Sequence, residues 1–176
     1  MDLTTSCKRI AIKNILLAIV VTLGTVTISF SQNQKELEET IRDSINIEFT
    51  KNYSNCSSYT KNGITNFNGK TEFWKICELK NGNRILQIES HSKSTYFQEI
   101  YFEKNGKLIY AKETENYVPM NSFEQMQWNC EFYIKDNNVI TFTSLGRGKT
   151  ENEDWNKNTI IRTYATRVSE IEKIQQ

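Results

Sequence analysis

Phe97 to Lys112 reads FQEIYFE-KNG-KLIYAK, two runs of period-two character on either side of Lys104-Asn105-Gly106. A period of two sends alternate side chains to opposite faces of a strand. Asn-Gly adopts the positive φ angles that a tight hairpin turn requires. The same pattern stands on either side of this stretch. Phe73 to Leu79 (FWKICEL) leads through Lys80-Asn81-Gly82-Asn83 to Arg84–Glu89 (RILQIE), and Cys130 to Lys135 (CEFYIK) leads through Asp136-Asn137-Asn138 to Val139–Ser144 (VITFTS). Three successive hairpins predict an antiparallel meander of about six strands. Pro119, the only proline, falls in the stretch from Val118 to Met126 and marks a longer crossover there.

Aligned at their turns, the hairpins place Ile76, Ile100 and Phe132 at one level and Cys77, Tyr101 and Tyr133 at the next. The first set, with Phe102 and Ile134, is expected to face a core. The second set is expected to form a more polar face that bears tyrosines.

Both flanks of the meander carry helical periods. Leu37, Ile41, Ile45 and Phe49 recur every four residues after the capping pair Asn33 and Glu36. At the other end, Ile161, Tyr164, Ala165, Val168, Ile171 and Ile174 follow at spacings of three and four. The expected fold class is therefore α+β, a β-meander packed with an N-terminal and a C-terminal amphipathic helix that share one sheet face. Asn52 to Lys70 reads as a loop or short irregular strands, and Gly146 to Lys157 as a polar, charge-dense loop.

The chain has 176 residues, of which 38% are hydrophobic and 11% aromatic, enough for one packed core and too many for wholesale disorder. Lys8, Arg9 and Lys13 precede an uncharged run from Ile15 to Phe30, which turns polar at Ser31. A basic start, a short apolar stretch and small residues before the break are the parts of a secretory signal peptide. Cleavage is expected after Ser31, so residues 32–176 form a single domain, periplasmic or secreted. The rival reading is a retained anchor, but the run falls short of the ~20 apolar residues of a bilayer crossing. Contact with a membrane is expected only in that rival case.

Lys and Arg number 22 against 21 Asp and Glu, a net charge of +1, which gives no electrostatic reason to expect nucleic acid. No cofactor is expected either. A single histidine excludes a multi-His metal centre within the chain, and no C-x-x-C pair is present. Of the cysteines beyond the signal segment, Cys77 and Cys130 fall on opposite faces in the hairpin alignment. A disulfide, if formed, is expected to join Cys56 to Cys77.

Gly148-Lys149-Thr150 resembles the end of a phosphate-binding loop, but Thr143 stands where that loop needs a glycine. Serines around His91 have no nucleophile elbow, so an exposed turn histidine is expected. Glu151, Glu153 and Asp154 beside Trp155 lack the ordered loop of a calcium site.

EIYFEKNGKLIYAKE (Glu99–Glu113) followed by CEFYIKDNNVITF (Cys130–Phe142) resembles a widespread group of uncharacterised secreted proteins of Bacteroidota. In these a strand ending in Tyr-Phe, an Asn-Gly turn and a Lys-Leu-Ile-aromatic strand recur two or three times. The resemblance spans roughly residues 70 to 145 and departs at Asn137-Asn138, which replaces Asn-Gly. It implies export and a meander, and no catalytic residues. Two functional expectations follow. The first is a non-catalytic exported binding module for a protein or glycan, with Tyr101, Tyr133 and Trp155 as contact residues, because Tyr and Trp are enriched in binding hot spots. The second is an envelope hydrolase using carboxylates such as Glu99, Glu113 and Glu131.

Overall fold

The computed structural model describes residues 34–56, 61–67, 69–119 and 124–174. The expected signal segment, residues 1–31, lies outside the described residues. No helix among those described is long and apolar enough to cross a membrane. The chain divides into two compact units, Met1–Thr40 and Ile41–Gln176. Residues 34–40 of the first are the opening turns of helix α1 (residues 34–54), and the second contains all the remaining elements.

Seven strands form one antiparallel sheet whose spatial order is the chain order: β1 (Lys61–Phe67), β2 (Lys70–Glu78), β3 (Arg84–Ser92), β4 (Thr95–Lys104), β5 (Lys107–Tyr117), β6 (Met126–Lys135) and β7 (Asn138–Leu145). The α+β meander is therefore present with seven strands rather than six. The additional strand, β1, pairs along its whole length with β2. As an edge strand it can be polar, so it lacks the apolar alternation that marks the others. The turns at Asn105-Gly106 and Asp136-Asn137 have φ of 51° and 74°, and 50° and 61°, the positive pairs that suit two-residue hairpins.

Cross-strand register defines two faces. One carries the row Ile76, Leu86, Tyr101, Ala111, Phe132, and the other the row Cys77, Ile85, Phe102, Tyr110, Tyr133. Tyr101 is thus on the face opposite Cys77 and Tyr133, which corrects the expected levels. The reason is the connection between hairpins. Ser92 lies opposite Thr95 across the Lys93-Ser94 turn, and this places Tyr101, not Ile100, opposite Leu86. A bulge at Ile109, which has no Cα partner between Leu108 and Tyr110, shifts the phase again within β5.

Because both rows are apolar, both faces need a cover. Ile45 and Phe49 of α1 pack on the face of Cys77 and Tyr133, with the Phe49 ring 4.4 Å from that of Tyr110. Helix α2 (Thr159–Glu170), continued by a 3₁₀ turn at Ile171–Lys173, packs Ile160, Ile161, Tyr164, Val168 and Ile171 on the other face. The helices do not share a face. The expectation that they would took one face of the meander to be polar, and neither is.

Cys56, just past α1, is joined to Cys77 of β2 with Cα atoms 5.8 Å apart, while Cys130 is a buried free thiol. Burial, with the charges of Glu113 and Glu131, pushes the Cys130 thiol up to about 12, so it is inert at neutral pH. The Cys56–Cys77 crosslink spans 21 residues, and in the chain-entropy model this stabilises the fold by about 3 kcal/mol. The double substitution C56A/C77A is expected to lower the urea-unfolding free energy by about that amount. An unchanged midpoint would mean that the bond does not constrain the unfolded chain.

Candidate functional site

On the face beneath α2 the row Trp74, Ile88, Glu99, Glu113, Cys130, Ser144 crosses six strands, β2 to β7. It places two glutamates directly opposite each other. Like charges in that position repel, and each glutamate is matched by a cation from outside the sheet. Arg167 of α2 donates from Nε and Nη2 to both oxygens of Glu99, at 2.8 Å each. The same guanidinium donates to both oxygens of Glu72 at 3.0 and 3.1 Å and to Glu170 at 2.9 Å, and it lies 5.8 Å from the centre of the Trp74 ring. Lys149 meets Glu113 at 3.0 Å.

These pairs set the protonation states. Burial works against the charge of Glu99, but hydrogen bonds and charge from Arg167, with a hydrogen bond from Tyr101, hold the carboxyl below its ordinary range. Burial likewise opposes the charge of Arg167, and the carboxylates of Glu99, Glu170 and Glu72 more than offset it, so its pKa is raised. Burial and the neighbouring Glu99 charge raise the Tyr101 phenol well above its usual value, which keeps it a donor to Glu99 at 2.9 Å.

The loop after β7 brings in the rest. Gly146 has φ of +82°, and a Cβ there would strike the backbone carbonyl of Gln127. A Cβ at Gly148 would enter the Trp128 ring. The two glycines let the loop lie flat on β6. Thr150 Oγ1 then accepts from Trp128 Nε1 at 3.2 Å and sits 2.8 Å from Ser144 Oγ, while Lys149 Nζ reaches 5.5 Å from the Trp128 ring centre. Gly148-Lys149-Thr150 is therefore a packing device that delivers an ammonium to Glu113.

Farther along, Asn152 accepts from the Asp154 and Trp155 amides at 3.0 Å each, and Asn156 accepts from Asn158 and Thr159 at 2.9 and 3.0 Å. Two successive turns carry the chain into α2. Trp155 is held edge-on to Phe142 at 5.1 Å and lies 6.2 Å from Phe132. Between this loop, β5, β6 and the first turns of α2 lies a cleft of about 270 Å³. Its lining includes Glu113, Lys149, Asp154, Trp155, Asn156 and Thr163.

Of the residues singled out in the sequence, Trp155 lines this cleft. Tyr101 and Tyr133 are 0% and 1% exposed and lie on opposite faces, so neither offers a contact surface. The alternation is right for strands, but both faces are covered. Tyr133 donates to Glu131 at 3.0 Å, and Lys112 pairs with the same carboxylate at 2.9 Å, on the α1 side of the sheet. Glu99 and Glu113 meet; Glu131 is separated from them by the sheet. His91 is exposed, its ring 5.1 Å from that of Tyr96 and tilted to it by 53°. Among the described residues no three His, Cys, Asp or Glu side chains gather to hold a metal ion. Sequence reading missed Arg167 and Glu72, and it noted Lys149 only within Gly148-Lys149-Thr150, not as the partner of Glu113. For Arg167 a signal existed: it stands three residues after Tyr164 and four before Ile171, inside the apolar stripe.

The chain matches no family profile, no curated protein and no solved structure.

Replacing Arg167 with Met strands three carboxylates around one point and is expected to cost roughly 3–5 kcal/mol in urea unfolding. A loss below about 1 kcal/mol would mean the carboxylates find water instead. Because the Glu99 carboxyl is depressed in the fold, its contribution is complete above the unfolded value of ~4.3 and is lost as pH falls through the folded one. E99Q should therefore show a shallower fall in stability below about pH 4 than the native chain, measured by denaturation across the acid range. G148A is expected to lower stability by roughly 1–3 kcal/mol, since the Trp128 ring must move.

Proposed function

We propose that the protein is an exported, non-catalytic binding module that takes its ligand in the Trp155 cleft. The carrying observation is the combination in that recess: a partly exposed aromatic wall, hydroxyl and amide groups from the loop and α2, and a floor glutamate already tied to Lys149. Pockets with an apolar wall and a few convergent polar groups are where small ligands or a protruding group of a larger one bind. A protein or a glycan can present such a group. Of the three expected contact residues the reading keeps Trp155 and drops the buried Tyr101 and Tyr133, and the basic, then apolar, N-terminal segment supports the compartment.

The hydrolase reading draws on Glu99 and Glu113, which are cross-strand neighbours. A hydrolytic pair needs one carboxyl that keeps its proton near neutral pH. Glu99 is shifted the other way and accepts from three donor groups on Arg167 and Tyr101, which leaves it little freedom to exchange a proton. This favours binding over catalysis.

An affinity column of the native protein is expected to retain an envelope component that a W155A column releases, and the native protein is expected to be silent in a broad hydrolase screen. Turnover that disappears in E113Q would reverse the assignment. Intact mass of the cellular protein is expected to place its N-terminus at Gln32, and a mass beginning at Met1 would replace cleavage with anchorage.

A further inference from the structure

We infer that the occupant of the Trp155 cleft is a single neutral pyranose ring, either free or at the end of a glycan. The inference rests on the binding reading above and narrows it by charge, shape and size. The cleft's charged groups cancel: Glu113 and Asp154 against Lys149 and Lys157. Glu113 and Lys149 are already bonded to each other at 3.0 Å. A charged ligand would have to break that pair and leave one partner uncompensated in a half-enclosed site, which is costly. A neutral polyol instead finds carboxylate acceptors and ammonium donors that stay paired while it binds.

Shape points the same way. The Trp155 ring lines the cleft, is partly exposed and is packed against Phe142, so it offers an apolar wall with little side-chain freedom left to lose on binding. Thr159 and Thr163, one turn apart on the same side of α2, line the same recess. The Thr163 hydroxyl donates to the Thr159 carbonyl at 3.2 Å, which leaves its oxygen lone pairs for an incoming donor. An aromatic wall and hydrogen-bonding groups in one recess match a pyranose, whose C–H face is apolar and whose rim is hydroxylated. A recess of about 270 Å³ falls just under the usual range for drug-sized ligands and suits one ring.

The chain has three tryptophans, and Trp74 and Trp128 are 1% and 0% exposed, so a ligand-dependent change in emission that is lost in W155F reports Trp155. The intact protein is titrated with methyl β-glucopyranoside, methyl β-glucuronide, glucosamine, mannitol and a blocked neutral tetrapeptide, with saturation-transfer NMR in parallel. The methyl glycoside is expected to saturate with Kd on the order of 1 mM, as befits a ligand of this size. The two charged analogues and the open-chain mannitol are expected to bind roughly tenfold more weakly or worse. W155A should abolish saturation transfer, and W155F, which keeps a flat ring and guards against a folding defect, should retain it within about threefold. Glucuronide, glucosamine or mannitol binding as tightly as the glycoside overturns the neutral-pyranose assignment and leaves the cleft as a binding site. A response to the tetrapeptide alone does the same and points to a protein partner. Silence toward every probe overturns the cleft reading itself.

Discussion

Arg167 projects from α2 into carboxylates that belong to the sheet, and the placement of the helix follows from that contact. An apolar stripe such as Ile160, Tyr164, Val168 and Ile171 is non-directional and tolerates sliding or rotation over a sheet. A guanidinium bonded to both oxygens of Glu99 and both of Glu72 accepts one position. Buried ion pairs add little net stability compared with well-packed apolar groups, but breaking one is expensive, so their effect is to forbid alternatives. The cleft inherits this precision. Thr159 and Thr163 stand on the helix that Arg167 fixes, Glu113 lies beside Glu99 on the next strand, and Lys149 completes the charge balance.

The loop from Gly146 to Asn158 shows how a short motif can carry a function other than the one it resembles. The Lys149 ammonium is bonded to Glu113 and stands over the Trp128 ring. Thr150 closes a hydroxyl–indole–hydroxyl chain with Trp128 and Ser144. The glycines are needed for contact with a neighbouring strand, not for approach to a ligand.

The hairpins were readable because turn chemistry and alternation are local. Asn105-Gly106 and Asp136-Asn137 carry their conformational preference within two residues. What was not readable depended on partners distant in the chain. β1 becomes a strand because β2 offers it a ladder, not because Lys61–Phe67 has a strand pattern. The face of Tyr101 is set by the Lys93-Ser94 connection and by a bulge at Ile109, and no periodicity within a single hairpin encodes either. The site divides the same way. Trp155 is conspicuous as an aromatic in a polar loop, whereas Glu72 and Glu99 acquire their meaning only when Arg167 arrives from 95 and 68 positions away.

A sheet whose spatial order equals its sequence order has a further consequence, for the route by which it forms. Every strand pairs only with its neighbours in the chain, so each pairing closes a short segment and carries little chain entropy. Contact order within the sheet is correspondingly low, a property that goes with rapid folding for a β-rich protein. Zippering can start at any of the tight turns and spread in either direction. The slow events are then the arrivals from the two ends, α1 with its crosslink on one side and α2 with its guanidinium on the other. Such a sheet is assembled early and roofed late, so the recess at Trp155 exists only in the finished molecule.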